Sequence, residues 1–353
     1  MTDLFAPYQL GRLQLANRFV MAPLTRNRAG EGEAPTALAA EYYAQRAGAG
    51  LIVAEGTQPS AVGQAYPHTP GLHTDEQGAG WRLVADAVHG RGGHIVVQLM
   101  HGGRIGHPDV SGTQSVAPSA VTPAGQVFTG TGMADYQQPR ALATEELPGL
   151  VAEYVDAARR AVAAGLDGVE LHAANGYLLH QFLADNTNRR TDAYGGSPAN
   201  RARFVVEVAQ AVSEAIGADR VGIRISPGHP FGDIVETEVE QTYAALLEGL
   251  EPLGLLYLHV LEGPDTTYGE QLRKSWAGAY VFNSGFSVDS TLETAQELVD
   301  TGAADLVAFG RAFLANPDLV ERLRLGAPLN APDAATFYGG GAAGYTDYPA
   351  LSA

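Results

Sequence analysis

Eight short runs rich in apolar and β-branched residues recur along the chain, nearly all followed by a stretch with helical periodicity, and this alternation limits the available folds more than any other feature. The runs lie at 19–22, 51–55, 94–99, 168–172, 221–226, 255–260, 280–283 and 305–309. The helical stretches lie at 35–47, 75–89, 144–164, 198–216, 236–250, 288–301 and 316–325, several with start signals such as Ser197-Pro198, Thr144 before Glu145-Glu146, and Asn316-Pro317-Asp318. The unit between the sixth and seventh runs is the weakest, and its helix is expected to be short. Strands alternating with helices build a parallel sheet. Eight such units predict an α/β chain closed into a (β/α)₈ barrel rather than an open sheet. A barrel takes about 250 residues, so of the 353 present roughly 100 are left for insertions and tails.

The largest insertion is 100–143, rich in Gly, Ser, Thr and Pro and without helical periodicity. Because it follows the third strand it lies on the C-terminal face, where long loops act as lids or binding loops. A plain surface hairpin is the alternative. One domain is expected over 1–353, with 100–143 capping the site.

Composition removes several chemistries. There is no cysteine, hence no disulfide, thiol nucleophile, iron–sulfur cluster or thiolate zinc site. Redox chemistry would need a bound organic cofactor. Lys274 is the only lysine and sits in a polar stretch at 270–275, predicted helical, rather than at a strand end, which argues against Schiff-base and pyridoxal-phosphate chemistry. A formal net charge of −17 repels nucleic-acid phosphates and anionic lipid, so no nucleic-acid or membrane partner is expected. Residues 1–10 lack a secretory signal's basic start and apolar core, and no apolar run approaches the ~20 residues of a bilayer span. A cytoplasmic location is expected.

Barrel enzymes place their chemistry at the carboxyl ends of the strands. Here those ends read Pro23-Leu24-Thr25, Glu55-Gly56-Thr57, Gln98 with His101, His172 with Asn175 and Tyr177, Arg224, His259 with Glu262, Asn283-Ser284-Gly285 and Gly310-Arg311. Loops after strands seven and eight commonly bind phosphate through backbone N–H groups, and Ser284, Gly285, Gly310 and the Arg311 guanidinium suit a phosphorylated ligand. A rim salt bridge is the other use for Arg311. Arg224, inside an apolar strand, needs either a partner such as Glu170 or a ligand that gains negative charge, such as a reduced isoalloxazine ring. Gln98 offers donors and acceptors to a flavin pyrimidine edge, and Thr25 offers a hydroxyl. His172 and Asn175, three apart, would share a face if the turn after the strand is helical, and could then stabilise an enolate oxygen. A core or rim position is the alternative for His172. Spacing alone does not bring Tyr177 into the site.

The strings APLTRNRA (22–29), VAEGTQPS (53–60), VQLMHGGR (97–104), ELHAANGYLLHQFL (170–183) and NRRTDAYGGSPANRARF (188–204) resemble the Old Yellow Enzyme family, as do GIRISP (222–227), AFGRAFLANPDLVERL (308–323) and TFYGGGAAGYTDYP (336–349). The likeness runs in family order from Leu4 to Leu351. It implies a TIM barrel holding one FMN, reduced by NADPH or NADH and reoxidised by small-molecule activated alkenes. Carried over residue by residue, Pro23, Leu24, Thr25, Gly56 and Gln98 would line the flavin ring, with Arg224 at its N1–C2 edge. Ser284, Gly285, Gly310 and Arg311 would hold the phosphate, with Phe337 nearby. His172 and Asn175 would bind the substrate's electron-withdrawing oxygen, Tyr177 would donate the proton, and Tyr66, Met100 and Tyr338 would shape the pocket. Thr25 stands where thermophilic-like members have cysteine, and Met100 where several bacterial members have Trp. Monomer and homodimer both remain open.

The implied reaction is a ping-pong ene-reduction. The nicotinamide leaves before an unsaturated aldehyde, ketone, imide or nitroalkene enters, and hydride and proton then add trans across C=C. Two other classes fit parts of the strand-end set. One is a metal-assisted hydrolase using Glu55, His101, His172 and His259; the other is a phosphate-ligand binding module without turnover. On the resemblance, no metal is expected.

Overall fold

The computed structural model describes residues 3–263, 267–285 and 290–351. The eight runs form β1 (Phe19–Met21), β2 (Leu51–Thr57), β3 (Ile95–Leu99), β4 (Gly168–Ala173), β5 (Val221–Ile225), β6 (Tyr257–Leu261), β7 (Tyr280–Asn283) and β8 (Leu306–Phe309). They pair in parallel in sequence order, and β8 closes on β1 to complete the barrel. The helices that follow them are α1 (Ala37–Gln45), α2 (Asp75–His89), α3 (Leu147–Ala163), α4 (Pro198–Ile216), α5 (Val239–Leu250), α6 (Thr267–Lys274), α7 (Leu292–Asp300) and α8 (Leu319–Leu325).

Strand alternation divides the core. In β4 and β5, Val169, Leu171, Ala173, Val221, Ile223 and Ile225 join the apolar layer beneath the helices, while Glu170, His172, Gly222 and Arg224 take the opposite face, into the barrel. The interior is apolar at the N-terminal ends of the strands, where Val20, Leu51, Val53, Val96, Val281 and Leu306 pack with Leu10, Leu13 and Leu15 of a hairpin that plugs that mouth. Above this plug lies a polar layer. Glu170 accepts from Gln98 Nε2 at 2.8 Å, from Tyr257 O–H at 3.0 Å and from His259 Nδ1 at 2.8 Å. Tyr257 reaches across because Gly222 has no side chain; a Cβ there would stand 2.3 Å from its ring.

Several expectations shift in detail. The stretch at 144–164 divides into a 3₁₀ turn, Thr144–Glu146, and α3, whose second position is Pro148. The stretch at 316–325 starts three residues late, since Pro317 follows an extended Asn316 that ends a preceding short helix, Arg311–Ala315. Of the stretch at 288–301, the first two residues lie outside the described residues, as do residues 1 and 2 of the N-terminal stretch. α6 is short as expected and ends at the exposed Lys274. The insertion is not structureless. Val116–Ala117 pairs in parallel with Arg140–Ala141, and Gln126–Phe128 and Met133–Asp135 form an antiparallel hairpin. Among the described residues, no helix is long and apolar enough to cross a membrane.

Candidate active site

A cavity of about 300 Å³ opens at the C-terminal end of the barrel. It gathers Pro23, Leu24 and Thr25 from the loop after β1, Gln98 and Met100 at the end of β3, and His172, Asn175 and Tyr177 at the end of β4. Arg224 of β5, Ser284 and Gly285 after β7, and Gly310 and Arg311 after β8 complete the ring, with Phe337 and Tyr338 from the C-terminal tail. A second cavity of about 580 Å³ adjoins it and shares Thr25, Tyr177, Phe231 and Tyr338. Tyr66 lines this outer cavity together with residues 124–128 of the insertion hairpin region.

Gly56 is placed differently from the other candidates. A register shift between Ala54 and Gly56 pairs Gly56 with Gln98, and a Cβ on Gly56 would lie 2.5 Å from Met100 Sδ. It therefore makes room for Met100 rather than facing the cavity. The same irregularity lets the Glu55 side chain accept from Tyr43 O–H at 3.2 Å and from the Arg26 N–H at 3.1 Å. Burial pushes its carboxyl up to about 7. Glu55, His101, His172 and His259 are not gathered, and among the described residues no group of three or more His, Asp or Glu could hold a metal.

His172, Asn175 and Tyr177 converge, but not through a helical turn. Asn175 and Gly176 have φ of +56° and +79°, and the helix Leu178–Leu183 begins only after an extended Tyr177. Two left-handed residues fold the chain back on itself, so the His172 and Tyr177 ring centroids stand 5.0 Å apart. A Cβ on Gly176 would lie 2.5 Å from the Phe231 carbonyl oxygen, which restricts that position to glycine.

The electrostatics keep these groups in defined states. Burial, reinforced by Arg224, holds His172 well below its ordinary value, so the imidazole is neutral. Burial pushes Tyr177 up to about 12, and its hydroxyl lies 3.0 Å from that of Tyr66. It stays protonated through the physiological range. Burial lowers Arg224 as well, though Glu170 opposes the shift. Burial acts against ionised Glu170 too, yet His259, Arg224 and Gln98 outweigh it and hold the carboxyl below its ordinary range. Arg224 hydrogen-bonds Asn283 Oδ1 at 3.3 Å rather than Glu170, whose bonded partners are Gln98, Tyr257 and His259.

Three buried atoms of this set, His172 Nδ1, Asn175 Oδ1 and Arg224 Nε, have no hydrogen-bond partner among the described residues. Buried polar atoms are rarely left so, and three at one cavity mark a place for a polar ligand. Gln98 gives one N–H to Glu170 and keeps its carbonyl and second N–H, matching the mixed donors and acceptors of a flavin pyrimidine ring. At the other end, Arg311 and the Ser284 and Ser290 hydroxyls, 2.9 Å from each other, suit a phosphate. This donor set fits a flavin mononucleotide.

The sequence reading did not single out Ala22, Phe231, Asn283 as Arg224's partner, Ser290 or Leu314, all of which line the inner cavity. It also missed how the tail reaches the site. Arg26 donates to the carbonyls of Phe337 and Gly344 at 2.9 and 2.8 Å, and Arg28 to those of Thr336 and Ala343 at 3.0 and 3.1 Å. Tyr345, stacked on Tyr42 at 4.0 Å, lies beneath both guanidinium groups. The two arginines stand beside Thr25 in sequence, and that adjacency was the available signal.

Comparison with known proteins accords with this geometry. The sequence profile of the NADH:flavin oxidoreductase / NADH oxidase family matches residues 3–330. A probable flavin mononucleotide-dependent alkene reductase of Leishmania infantum is 44% identical over 354 residues, covering 97% of this chain and 96% of the relative. Among solved structures, the Old Yellow Enzyme homologue from Zymomonas mobilis superimposes with a TM-score of 0.95 at 42% identity, covering 99% of this chain and all (100%) of that one. Morphinone reductase in complex with tetrahydroNAD gives 0.94 at 47%, covering 100% and 98%. The chain belongs to the NADH:flavin oxidoreductase / NADH oxidase family and, within it, to the Old Yellow Enzyme group of flavin-dependent alkene reductases.

Proposed function

We propose that the protein is an FMN-dependent ene-reductase that adds hydrogen trans across the C=C bond of α,β-unsaturated aldehydes, ketones and imides and of nitroalkenes. Pro23, Leu24, Thr25, Gln98 and Arg224 hold the flavin ring, and Ser284, Gly285, Gly310 and Arg311 hold its phosphate, with Phe337 alongside. Gly56 contributes indirectly, by leaving space for Met100. When bound, FMN supplies the redox chemistry, accepting hydride from NADPH or NADH and passing it to the alkene in a separate half-reaction.

The remaining work belongs to the chain. His172 and Asn175 donate to the carbonyl or nitro oxygen of the alkene and stabilise the negative charge that develops there. A neutral imidazole suits this task because it donates without titrating. Tyr177 delivers its phenolic proton to the α carbon on the face opposite the incoming hydride, which makes the addition trans. Tyr66, Met100 and Tyr338 bound the space for the substrate's substituents. The segment 100–143 caps the site, since residues 124–128 wall the outer cavity.

The observation that carries this reading is the convergence, in one cavity, of a neutral histidine, an asparagine and a protonated tyrosine beside a buried arginine Nε that has no partner among the described residues. Purified protein carrying FMN, mixed anaerobically with NADH or NADPH, is expected to lose its yellow flavin absorbance and to regain it on addition of 2-cyclohexenone. Absorbance that neither nicotinamide bleaches, or that the enone fails to restore, would sink the proposal.

A further inference from the structure

His180 takes no part in the chemistry above, yet it is fully buried two residues into the helix Leu178–Leu183. Its Nδ1 accepts a hydrogen bond from the Gly176 N–H at 3.0 Å. The left-handed turn directs that amide away from any strand ladder, and a buried N–H without an acceptor is costly. With Nδ1 accepting, a neutral ring carries its proton on Nε2. Nε2 faces the Tyr243 hydroxyl at 3.3 Å and Glu236 Oε1 at 3.5 Å.

Glu236 is almost as buried as its partner, its side chain 3% exposed. Its Oε2 accepts from the Gly228 N–H at 2.8 Å, and its Oε1, which faces His180 and is also acted on by Tyr243, completes no hydrogen bond of ordinary geometry among the described residues. Residues 228 and 236 belong to the loop after β5, whose Phe231 and Gly232 backbone packs directly against Gly176. The same loop lines the inner cavity through Phe231. A carboxylate facing Nε2 selects the tautomer in which Nδ1 is free to accept, as second partners do for metal-bound and catalytic histidines.

We propose that His180 and Glu236 are positioning residues, which together lock the left-handed Asn175–Gly176 turn and hold Asn175 and Tyr177 in register with the loop after β5. The inference rests on the roles given above to Asn175 and Tyr177. Its physical core is independent of them: one imidazole tautomer, fixed by one carboxylate, holds one backbone amide.

The test compares His180→Leu, which removes the acceptor, with His180→Asn, whose Oδ1 can take the place of Nδ1. In hydrogen-exchange measurements on the purified flavoprotein and on protein stripped of flavin, the Gly176 amide is expected to exchange about tenfold or more faster in the Leu variant and near the native rate in the Asn variant. Enone turnover is expected to fall about 10–100-fold in the Leu variant, with nitroalkene turnover affected less, and to recover within about threefold in the Asn variant. Nitrogen NMR of the wild-type imidazole reads the tautomer directly, with the proton expected on Nε2, so the inference stays exposed even if the Leu variant does not fold. A proton on Nδ1, unchanged Gly176 exchange in the Leu variant, or equal impairment by both substitutions would overturn it. Should Tyr177→Phe leave enone turnover intact, the role given to Tyr177 fails, while exchange and tautomer still decide the lock.

Discussion

The two ends of the barrel interior are built from the same eight strands and have opposite characters. Toward the N-terminal ends, Val20, Val53, Val96, Val281 and Leu306 pack against the Leu10, Leu13 and Leu15 plug with no polar side chain among them. Toward the C-terminal ends, the same strand faces present Gln98, His172, Arg224 and Asn283 around a cavity, with buried atoms of His172 and Arg224 unpartnered among the described residues. One end maximises burial. The other leaves polar groups poised for a ligand, and poorly satisfied groups are what a protein optimised only for stability would remove. Stability and reactivity should therefore respond to substitution at different ends.

The largest separation is expected at Tyr177. Tyr177→Phe should slow reduction of cyclic enones by about 10²–10⁴, the usual worth of a general acid. Nitroalkenes should suffer less, because a nitronate can leave and take its proton from water, and equal loss for both substrate types in stopped-flow assays would remove Tyr177 from the proton-donor role. His172→Ala should cost about 10²–10³ in the oxidative half-reaction, with urea-unfolding stability at or above that of the native protein, since an unpartnered buried nitrogen is removed. If stability falls instead and the rate holds, the upper end is not the reactive one.

The lower end should give the mirror image. Leu306→Ala is expected to lower unfolding free energy by about 2–5 kcal/mol while the folded fraction keeps its kcat, checked by urea titration beside steady-state assays. Titration sharpens the contrast further. Burial lowers His101 to about 4 and holds His172 well below 6.5. Above pH ~6.5 both are neutral, folded or unfolded; below it the unfolded chain binds protons that the folded one refuses, so stability falls with decreasing pH. His101→Gln should flatten that fall between about pH 6.5 and 4. The smallest effect is expected at Met100, where a flexible thioether leaves an adaptable wall. Met100→Trp should narrow acceptance of bulky substrates or change the favoured face, as read by chiral product analysis; an unchanged substrate range and enantiomer ratio would make residue 100 indifferent.

The barrel was legible because each strand's alternation is local, and its closure followed from counting. The strand-end residues were legible for the same reason, since a polar group ending an apolar run is visible in one window. What escaped was non-local. Asn175 and Tyr177 meet His172 through a non-glycine residue at φ +56°, a conformation the spacing does not reveal and surrounding packing enforces. Gly56 stands behind Met100 because of a strand irregularity. Glu170, offered as Arg224's partner, acts on it through charge but hydrogen-bonds Gln98, Tyr257 and His259, an arrangement that spans four neighbouring strands, β3 to β6, across Gly222 of β5. Composition suggested an irregular insertion, but Val127 and Phe128, good strand formers in a run too short to stand out among Gly and Thr, pair with Ala134 and Met133 in a hairpin.

The grip of Arg26 and Arg28 on the carbonyls of residues 336–344 has a consequence for biosynthesis. Those arginines are synthesised 308 to 318 residues before their acceptors, just as β1 waits for β8. Until the later residues are made, β1 has no β8 to pair with and one wall of the pocket is missing. Pocket completion thus waits for the segment that follows Thr336, and a chain truncated before Thr336 would lack the residues Phe337 and Tyr338 that line the cavity.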